Sequence, residues 1–342
     1  MHTAGAPEAQ SRGAPANHVA ELLATAPVVL APMEAITDAA FRRICRSLGA
    51  SLCVTEFVGA EQILASSALA RRRASLDPDD RPTAIQIYGA DPHLLLRAAR
   101  VVEQAQPAFI DLNCGCWVPS IARRGAGAGW LRDPAAMVAM AREIAAAVAL
   151  PVTVKTRIGW GPESHMPIVD LARRLEDVGV QALTIHCRTA AVGHAGPADW
   201  QWAARAQDVV SIPVVVNGDV RTAADVVRAL AETRCAAVMI GRAAIDHPWI
   251  FREAGARLAG RSCAPPTDAE RRALYRTVID ASVAARGERA GMASAKRHIG
   301  LLGSAAGQLR TRLLRARAIG EAHQWLDEPD SEPPTVLHER DV

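Results

Sequence analysis

Several polar residues stand where an apolar, β-branched run of the chain stops, and their types point to chemistry. Cys116 follows AFIDLNCG, Lys155 lies in PVTVKTR, His186 and Arg188 in ALTIHCR, Asn217, Gly218 and Asp219 end PVVVNGD, and Gly241 and Arg242 end AAVMIGR. A thiol with a pKa of about 8.5 is mostly protonated at neutral pH, so an accessible Cys116 can serve as a general acid. Lys155 is one of only two lysines, with Lys296, among 39 basic residues. A sequence that otherwise writes arginine keeps here a compact ammonium, which can approach one atom where a planar guanidinium would not fit. The NGD and GR turns offer backbone N–H groups and a bidentate guanidinium, a combination suited to a phosphate. Flavin mononucleotide (FMN) matches this set: it carries one phosphate, and its N1–C2 carbonyl edge gains negative charge on reduction, where Lys155 can meet it. GAGAG at 125–129 follows ARR rather than a strand and fails as a dinucleotide fingerprint. Cys114 and Cys116 form a C-x-C without a second pair, so no metal is expected.

The elements that must position these groups recur regularly. Strands are expected at VVLAPM (28–33), SLCVTE (51–56), TAIQIYG (83–89), AFIDLNC (108–114), PVTVKTR (151–157), ALTIHCR (182–188), PVVVNGD (213–219) and AAVMIGR (236–242), with Ala/Leu/Arg-rich helical stretches between them. The runs are almost continuously apolar, as parallel strands covered on both faces are. Eight such units in about 220 residues predict an α/β fold of the TIM (β/α)8 barrel type, ahead of a doubly wound sheet. In that fold the site lies at the C-terminal strand ends, which is where all of these polar residues fall.

With 342 residues, 22% charged and 50% hydrophobic, the chain is neither collagen, coiled coil nor wholly disordered. It has no apolar run of about 18 residues and no signal-peptide pattern, so the expected compartment is the cytoplasm, without a membrane partner. Seven scattered cysteines read as reduced thiols. The net charge of +3 is unevenly distributed. Residues 1–251 carry 24 basic and 24 acidic side chains, residues 252–317 carry 14 against five, and residues 318–342 one against seven. A net of +9 in one segment suits a polyanion, nucleic acid first. The expected organisation is a disordered extension at 1–24, a flavin-binding barrel at 25–251, a smaller basic helical domain at 252–326 and an acidic disordered tail at 327–342.

At these residues the chain resembles the tRNA-dihydrouridine synthases. The similar stretches are APMEAITDAAFRR (31–43), VTEFV (54–58), QIYG (86–89), DLNCGC with the following GAGAGWLRDP, VKTRIGW (154–160), TIHCRT (184–189), GPADW (196–200), IPVVVNGDV (212–220) and VMIGRAAIDHPWIF (238–251). NCGC and TEFV are similar to the bacterial branch that modifies uridine 16. The resemblance implies an FMN enzyme that reduces a tRNA uridine to 5,6-dihydrouridine with NADPH. Hydride would reach C6 of uracil from the reduced flavin, and Cys116 would give the proton to C5. It further implies that Pro32, Met33 and Glu34 line the flavin, that Gln86 and Lys155 hydrogen-bond its ring edge, and that His186, Asn217, Gly218, Asp219, Gly241 and Arg242 hold the ribityl phosphate side. Asn113 would help seat the uracil, and Arg188 and Thr189 would approach the RNA. Lys296 and Arg297, in SAKRHIGLL, are assigned to RNA contact. Family members are commonly monomers, and no obligate protein partner is expected.

The sequence departs from the family pattern in four places. Trp117 replaces the proline that usually follows the catalytic cysteine, Trp130 replaces a small or aliphatic residue, Cys187 a glycine and Ser120 a lysine. Trp117 either adds bulk beside the uracil pocket or packs with Trp130. Two other functions compete with the first: an FMN-barrel oxidoreductase for a small molecule of the dihydroorotate type, and a tRNA-binding relative without catalysis, suggested by Trp117.

Overall fold

The computed structural model describes residues 17–161 and 166–328. Among these residues nine parallel strands form one sheet: β1 (Val28–Leu30), β2 (Leu52–Val54), β3 (Val58–Gly59), β4 (Thr83–Tyr88), β5 (Ile110–Cys114), β6 (Val152–Arg157), β7 (Ala182–His186), β8 (Val214–Asn217) and β9 (Ala237–Ile240). β1 pairs with both β2 and β9, and β2 also pairs with β4, so eight of the strands close into a barrel. β3 is a two-residue addition on β4. The eight closing strands fall inside the eight expected runs, each trimmed where the chain turns into a loop.

Alternation along the strands sorts side chains into two layers. Val28, Leu30, Ile85, Ile87, Val152 and Val154 pack outward with the surrounding helices. Val29, Ala31, Ala84, Phe109, Ala182, Val215 and Met239 pack together in the barrel interior. Toward the C-terminal end of the strands the interior turns polar: Gln86, Asp111, Asn113 and Thr153 are all buried.

The expectation of disorder through residue 24 is corrected in part. Asn17 caps a helix over His18–Thr25, its Oδ1 accepting from the Ala20 N–H at 3.1 Å and its Nδ2 donating to the Gln181 carbonyl at 2.9 Å. Val19 and Leu23, four residues apart on one helix face, join the barrel's interior cluster and plug its end. Composition alone concealed this i,i+4 pair. Residues 1–16 and the acidic residues 329–342, both expected to be disordered, lie outside the described residues.

The helix Ile250–Leu258 runs through the expected boundary at 251/252 and packs Ile250, Phe251 and Ala254 on the barrel core, so the second domain begins after it. That domain contains the helices Asp268–Arg286, Glu288–Ala295, Gly307–Arg315 and Ile319–Asp327 and a 3-10 turn at Lys296–Leu302. Thr267 and Glu270 start its longest helix with a reciprocal capping box. Its core, which includes Tyr275, Ile279, Leu301, Leu313 and Leu326, is separate from the barrel's and rests on Ile44 and Trp249. Phe41 against the His298 ring, 4.5 Å apart, and an Arg286–Asp38 ion pair at 2.8 Å tie the two domains together. Among the described residues no helix is long and apolar enough to cross a membrane.

Candidate active site

Strand register assembles the site. Asn113 on β5 stands opposite Lys155 on β6, and Arg157, His186 and Asn217 stand side by side on β6, β7 and β8. Their side chains line a cavity of about 660 Å³ at the C-terminal end of the barrel. Pro32, Met33, Glu34, Cys116, Arg188, Gly218, Asp219, Gly241 and Arg242 line the same cavity, so most of the expected site residues meet in one place.

Each wall is held from behind. On the β1 side, Thr37 Oγ1 accepts from the Met33 N–H at 2.9 Å, and the Thr37 carbonyl accepts from Arg42 Nη1 at 2.8 Å. Arg42 in turn forms a fully buried ion pair with Asp80, its Nε 3.0 Å from the carboxylate. The run from Met33 to Arg42 is therefore one hydrogen-bonded turn anchored on Asp80. Glu34 is held by Arg73 at 2.8 Å, which also meets the buried Glu56 at 3.1 Å.

The Cys116 turn is fixed by Asn113, whose Oδ1 accepts from the N–H groups of Gly115 at 3.2 Å and Cys116 at 3.0 Å. Asn113 Nδ2 donates to Gln86 Oε1 at 2.8 Å, and Gln86 Nε2 donates to Asp111 Oδ2 at 2.6 Å. From the other side the Cys116 carbonyl accepts from the Ala128 N–H at 2.9 Å, and a Cβ at Gly127 would come within 2.7 Å of that oxygen. The glycines of GAGAG thus let a 3-10 turn close under the cysteine. Burial pushes the Cys116 thiol above its ordinary range and the charge of Glu34 adds to this, although the thiol also accepts from the Val118 N–H. It is a protonated donor at neutral pH.

On the adjacent strand β6, Lys155 Nζ donates to Asn217 Oδ1 at 3.3 Å, and Asn217 Nδ2 donates to the Met239 carbonyl at 2.8 Å. Burial, and then the nearby Arg157, lower the Lys155 pKa to about 8. An ammonium so placed is incompletely compensated and favours an anion. His186 is pushed far below its ordinary range by burial and by Arg157, Lys155 and Arg188, so its ring is neutral. Gly218 has φ +120, and a Cβ there would lie 2.8 Å from the Ala198 Cβ and 3.2 Å from the His186 ring, so only glycine makes this turn. Against the upward push of burial, hydrogen bonds from Arg188 and the Ala198 N–H hold the Asp219 carboxyl below the usual range. Arg242 stands 3.9 Å from Asp219 with its side chain 60% exposed, available to an anion at the mouth.

Four expected site residues lie off the cavity lining. Gln86 is buried behind Asn113, and Thr189 is buried with its carbonyl accepting from Arg157 Nη1 at 2.9 Å. Lys296 donates to the Ala316 carbonyl at 2.9 Å, where the helix Gly307–Arg315 ends, and Arg297 is exposed with Nη1 3.2 Å from Ser294 Oγ. Arg188 lines the cavity but is tied by Nη2 to Asp219 at 2.7 Å and by Nε to the Gly196 carbonyl at 3.1 Å.

Two lining residues do not stand out as site residues in the sequence. Arg157 donates to the carbonyls of Gly115 (2.9 Å), Thr189 (2.9 Å) and Gly193 (2.7 Å), joining the β5 and β7 loops. Its place at the end of PVTVKTR, two residues after Lys155 and on the same strand face, puts it on the rim from sequence alone, while its clamping of the two loops does not show there. His194 comes from a loop with no periodicity to reveal it. Trp117 also lines the cavity and does not pack with Trp130, which is buried with Nε1 donating to the Gly89 carbonyl at 3.0 Å.

Fold and site together define a parallel (β/α)8-barrel protein whose mouth combines a cluster of basic side chains with a protonated thiol. The dihydrouridine synthase family profile matches residues 29–329. A probable tRNA-dihydrouridine synthase of Mycobacterium tuberculosis (strain H37Rv) is 35% identical over 336 residues, covering 94% of this chain and 86% of that one. The corresponding protein of Rhodobacter capsulatus is 34% identical over 293 residues, covering 85% and 90%, and tRNA-dihydrouridine synthase B of Pseudomonas aeruginosa is 38% identical over 226 residues, covering 66% and 68%. The chain belongs to the dihydrouridine synthase family. A solved 2-naphthoyl-CoA reductase complex shares the fold, with a TM-score of 0.53 at 12% identity over 69% of this chain and 50% of that one.

Proposed function

We propose that this chain reduces a uridine of tRNA to 5,6-dihydrouridine, with FMN bound in the barrel mouth and NADPH as the transient reductant. The observation that carries this is the placement, in one cavity, of a protonated Cys116 thiol at the end of β5, of Lys155 on the adjacent strand β6 and of the Asn217–Asp219 turn after β8. The donor set fits the flavin: an under-compensated, half-buried ammonium for an electron-rich ring edge, and for a phosphate the exposed Arg242 near Asp219 and the side-chain-free Gly241. When bound, FMN reduced by NADPH supplies hydride to C6 of the uracil.

The protein's own residues do the rest. Cys116 Sγ holds a proton that its burial prevents it from losing at neutral pH and gives it to C5. Asn113, Gln86 and Arg157 position the Cys116 turn rather than reacting, because their polar atoms are engaged with backbone and with one another. A base must leave its stack to reach a cavity inside the barrel mouth, so the substrate is a single-stranded or flipped nucleotide of a tRNA loop. Exposed arginines of the C-terminal domain supply phosphate contacts. NCGC and TEFV favour uridine 16 as the target. Deleting the gene and mapping dihydrouridine in tRNA by mass spectrometry tests this: loss at one position is expected, and an unchanged pattern in a strain without a paralogue would overturn it.

A further inference from the structure

Trp117, which stands where the family pattern has proline, sits at the cavity mouth. Trp117 directly follows Cys116, lines the cavity and is 36% exposed. Val118, the next residue, lines the same cavity and is 41% exposed. Apolar groups exposed together next to a ligand cavity mark a binding surface. The indole is nevertheless held in place. Its six-membered ring rests on Gly193, where a Cβ would come within 3.0 Å of two ring carbons, and Gly193 has φ +58. Arg157 clamps the Gly193 carbonyl at 2.7 Å from below. The His194 ring meets the indole edge-on, with centroids 5.5 Å apart and planes at 85°. Burial and the charges of Arg242, Arg157, Arg188 and Lys155 lower the His194 pKa, so this neighbour is a neutral ring at physiological pH. Two guanidinium side chains of the same cavity are largely exposed, Arg221 at 75% and Arg242 at 60%, each loosely paired with Asp219 at 3.7 and 3.9 Å.

A fixed, partly exposed aromatic ring beside exposed arginines is how proteins hold single-stranded nucleic acid, with bases stacking on the ring and phosphates on the cations. We propose that Trp117, seated on Gly193 and buttressed by His194, is a stacking platform for the nucleobase next to the one that enters the cavity. This rests on the RNA-directed function proposed above. The residue beside the proton donor then holds the strand flanking the target uridine, whatever the base there. The arrangement needs all three members of the loop contact: the small Gly193, the clamp from Arg157 and the edge of His194.

The test uses the full-length flavin-loaded protein, bulk tRNA lacking dihydrouridine, and the variants Trp117→Phe, Trp117→Leu and Trp117→Ala. Stacking on one aromatic ring predicts that Leu and Ala raise KM for tRNA roughly 5- to 100-fold, with kcat changed far less and the flavin absorbance retained. Phe should stay within a few-fold of the wild type. A Leu variant equal to wild type would reduce Trp117 to a space-filling role and overturn the proposal, as would losses confined to kcat or to flavin content. If the wild type makes no dihydrouridine, the functional proposal fails and the platform is decided separately by titrating a short oligouridylate and following tryptophan emission. Quenching that is lost in Trp117→Phe supports stacking, and quenching of equal size in the two proteins removes it.

Discussion

At the residue scale, the proposed site rests on two titratable groups on which burial acts in opposite directions, favouring the protonated thiol and disfavouring the protonated amine. For the Cys116 thiol, desolvation opposes ionisation and keeps the proton. Cys116→Ala should retain flavin and tRNA binding while turnover falls about 100- to 10,000-fold, measured as dihydrouridine formed per enzyme. For Lys155, desolvation opposes the charge that the site uses and brings the pKa to about 8, below the ordinary 10.5. Burying this ammonium therefore costs stability below pH 8, and the cost is relieved as the pH rises from about 8 toward 10.5. A bound anion offsets the same cost, so thermal stabilisation by FMN should be larger at about pH 7 than at about pH 9.5. Lys155→Met should flatten that difference, and an undiminished pH dependence in the variant would take Lys155 out of the anion contact.

At the element scale, the strands deliver residues and the loops are locked by buried arginines. Arg42 joins the helix Ala39–Ser47 to Asp80 and to the Thr37 carbonyl, and through Thr37 to Met33. Removing one partner of such a pair leaves an uncompensated buried charge, which typically costs about 3–5 kcal/mol. Asp80→Ala should lower unfolding stability by that order in a denaturant titration and should also reduce flavin content, because the β1 turn loses its anchor. A change below about 1 kcal/mol, the range of an exposed pair, would show that the turn holds itself. Arg157 plays the matching part between the β5 and β7 loops. Both are arginines in a sequence full of them, and only the structure separates them from solvated ones.

At the scale of the whole molecule, the same separation redistributes the basic segment. Arg286 pairs with Asp38 across the domain boundary, Arg276 with Asp327, and Arg312 with Glu328, so part of the +9 is neutralised inside the fold by residues of the barrel and of the acidic stretch. Lys296 is likewise engaged, at a helix end. Arg289, Arg297, Arg315 and Arg317 remain exposed. Replacing Arg289, Arg297 and Arg315 with alanine should weaken tRNA binding and lower its log–log salt slope by roughly one for each phosphate no longer neutralised, with flavin content unchanged. An unaltered slope would place the RNA on another face.

The barrel and most of the residues at its mouth were readable from the amino-acid sequence. Eight apolar runs at regular spacing admit few architectures, and a polar group at the end of such a run has few places to be other than the rim. Cys116, Lys155, His186 and the Asn217–Asp219 turn were legible for that reason. The helix at His18–Thr25 was hidden because a bias toward alanine, glycine and proline outweighed one i,i+4 apolar pair, which gains its value only from the barrel end that it covers. Tertiary structure alone decided which polar atoms remain available. Gln86, Asn113, Arg157 and Lys296 carry the same donors and acceptors as residues that bind ligands, but their partners come from strands and loops far away in the chain. Packing also decided the position of Trp117, because the glycine and the histidine that orient its ring lie about 75 residues further along and reach it only through the closure of the barrel.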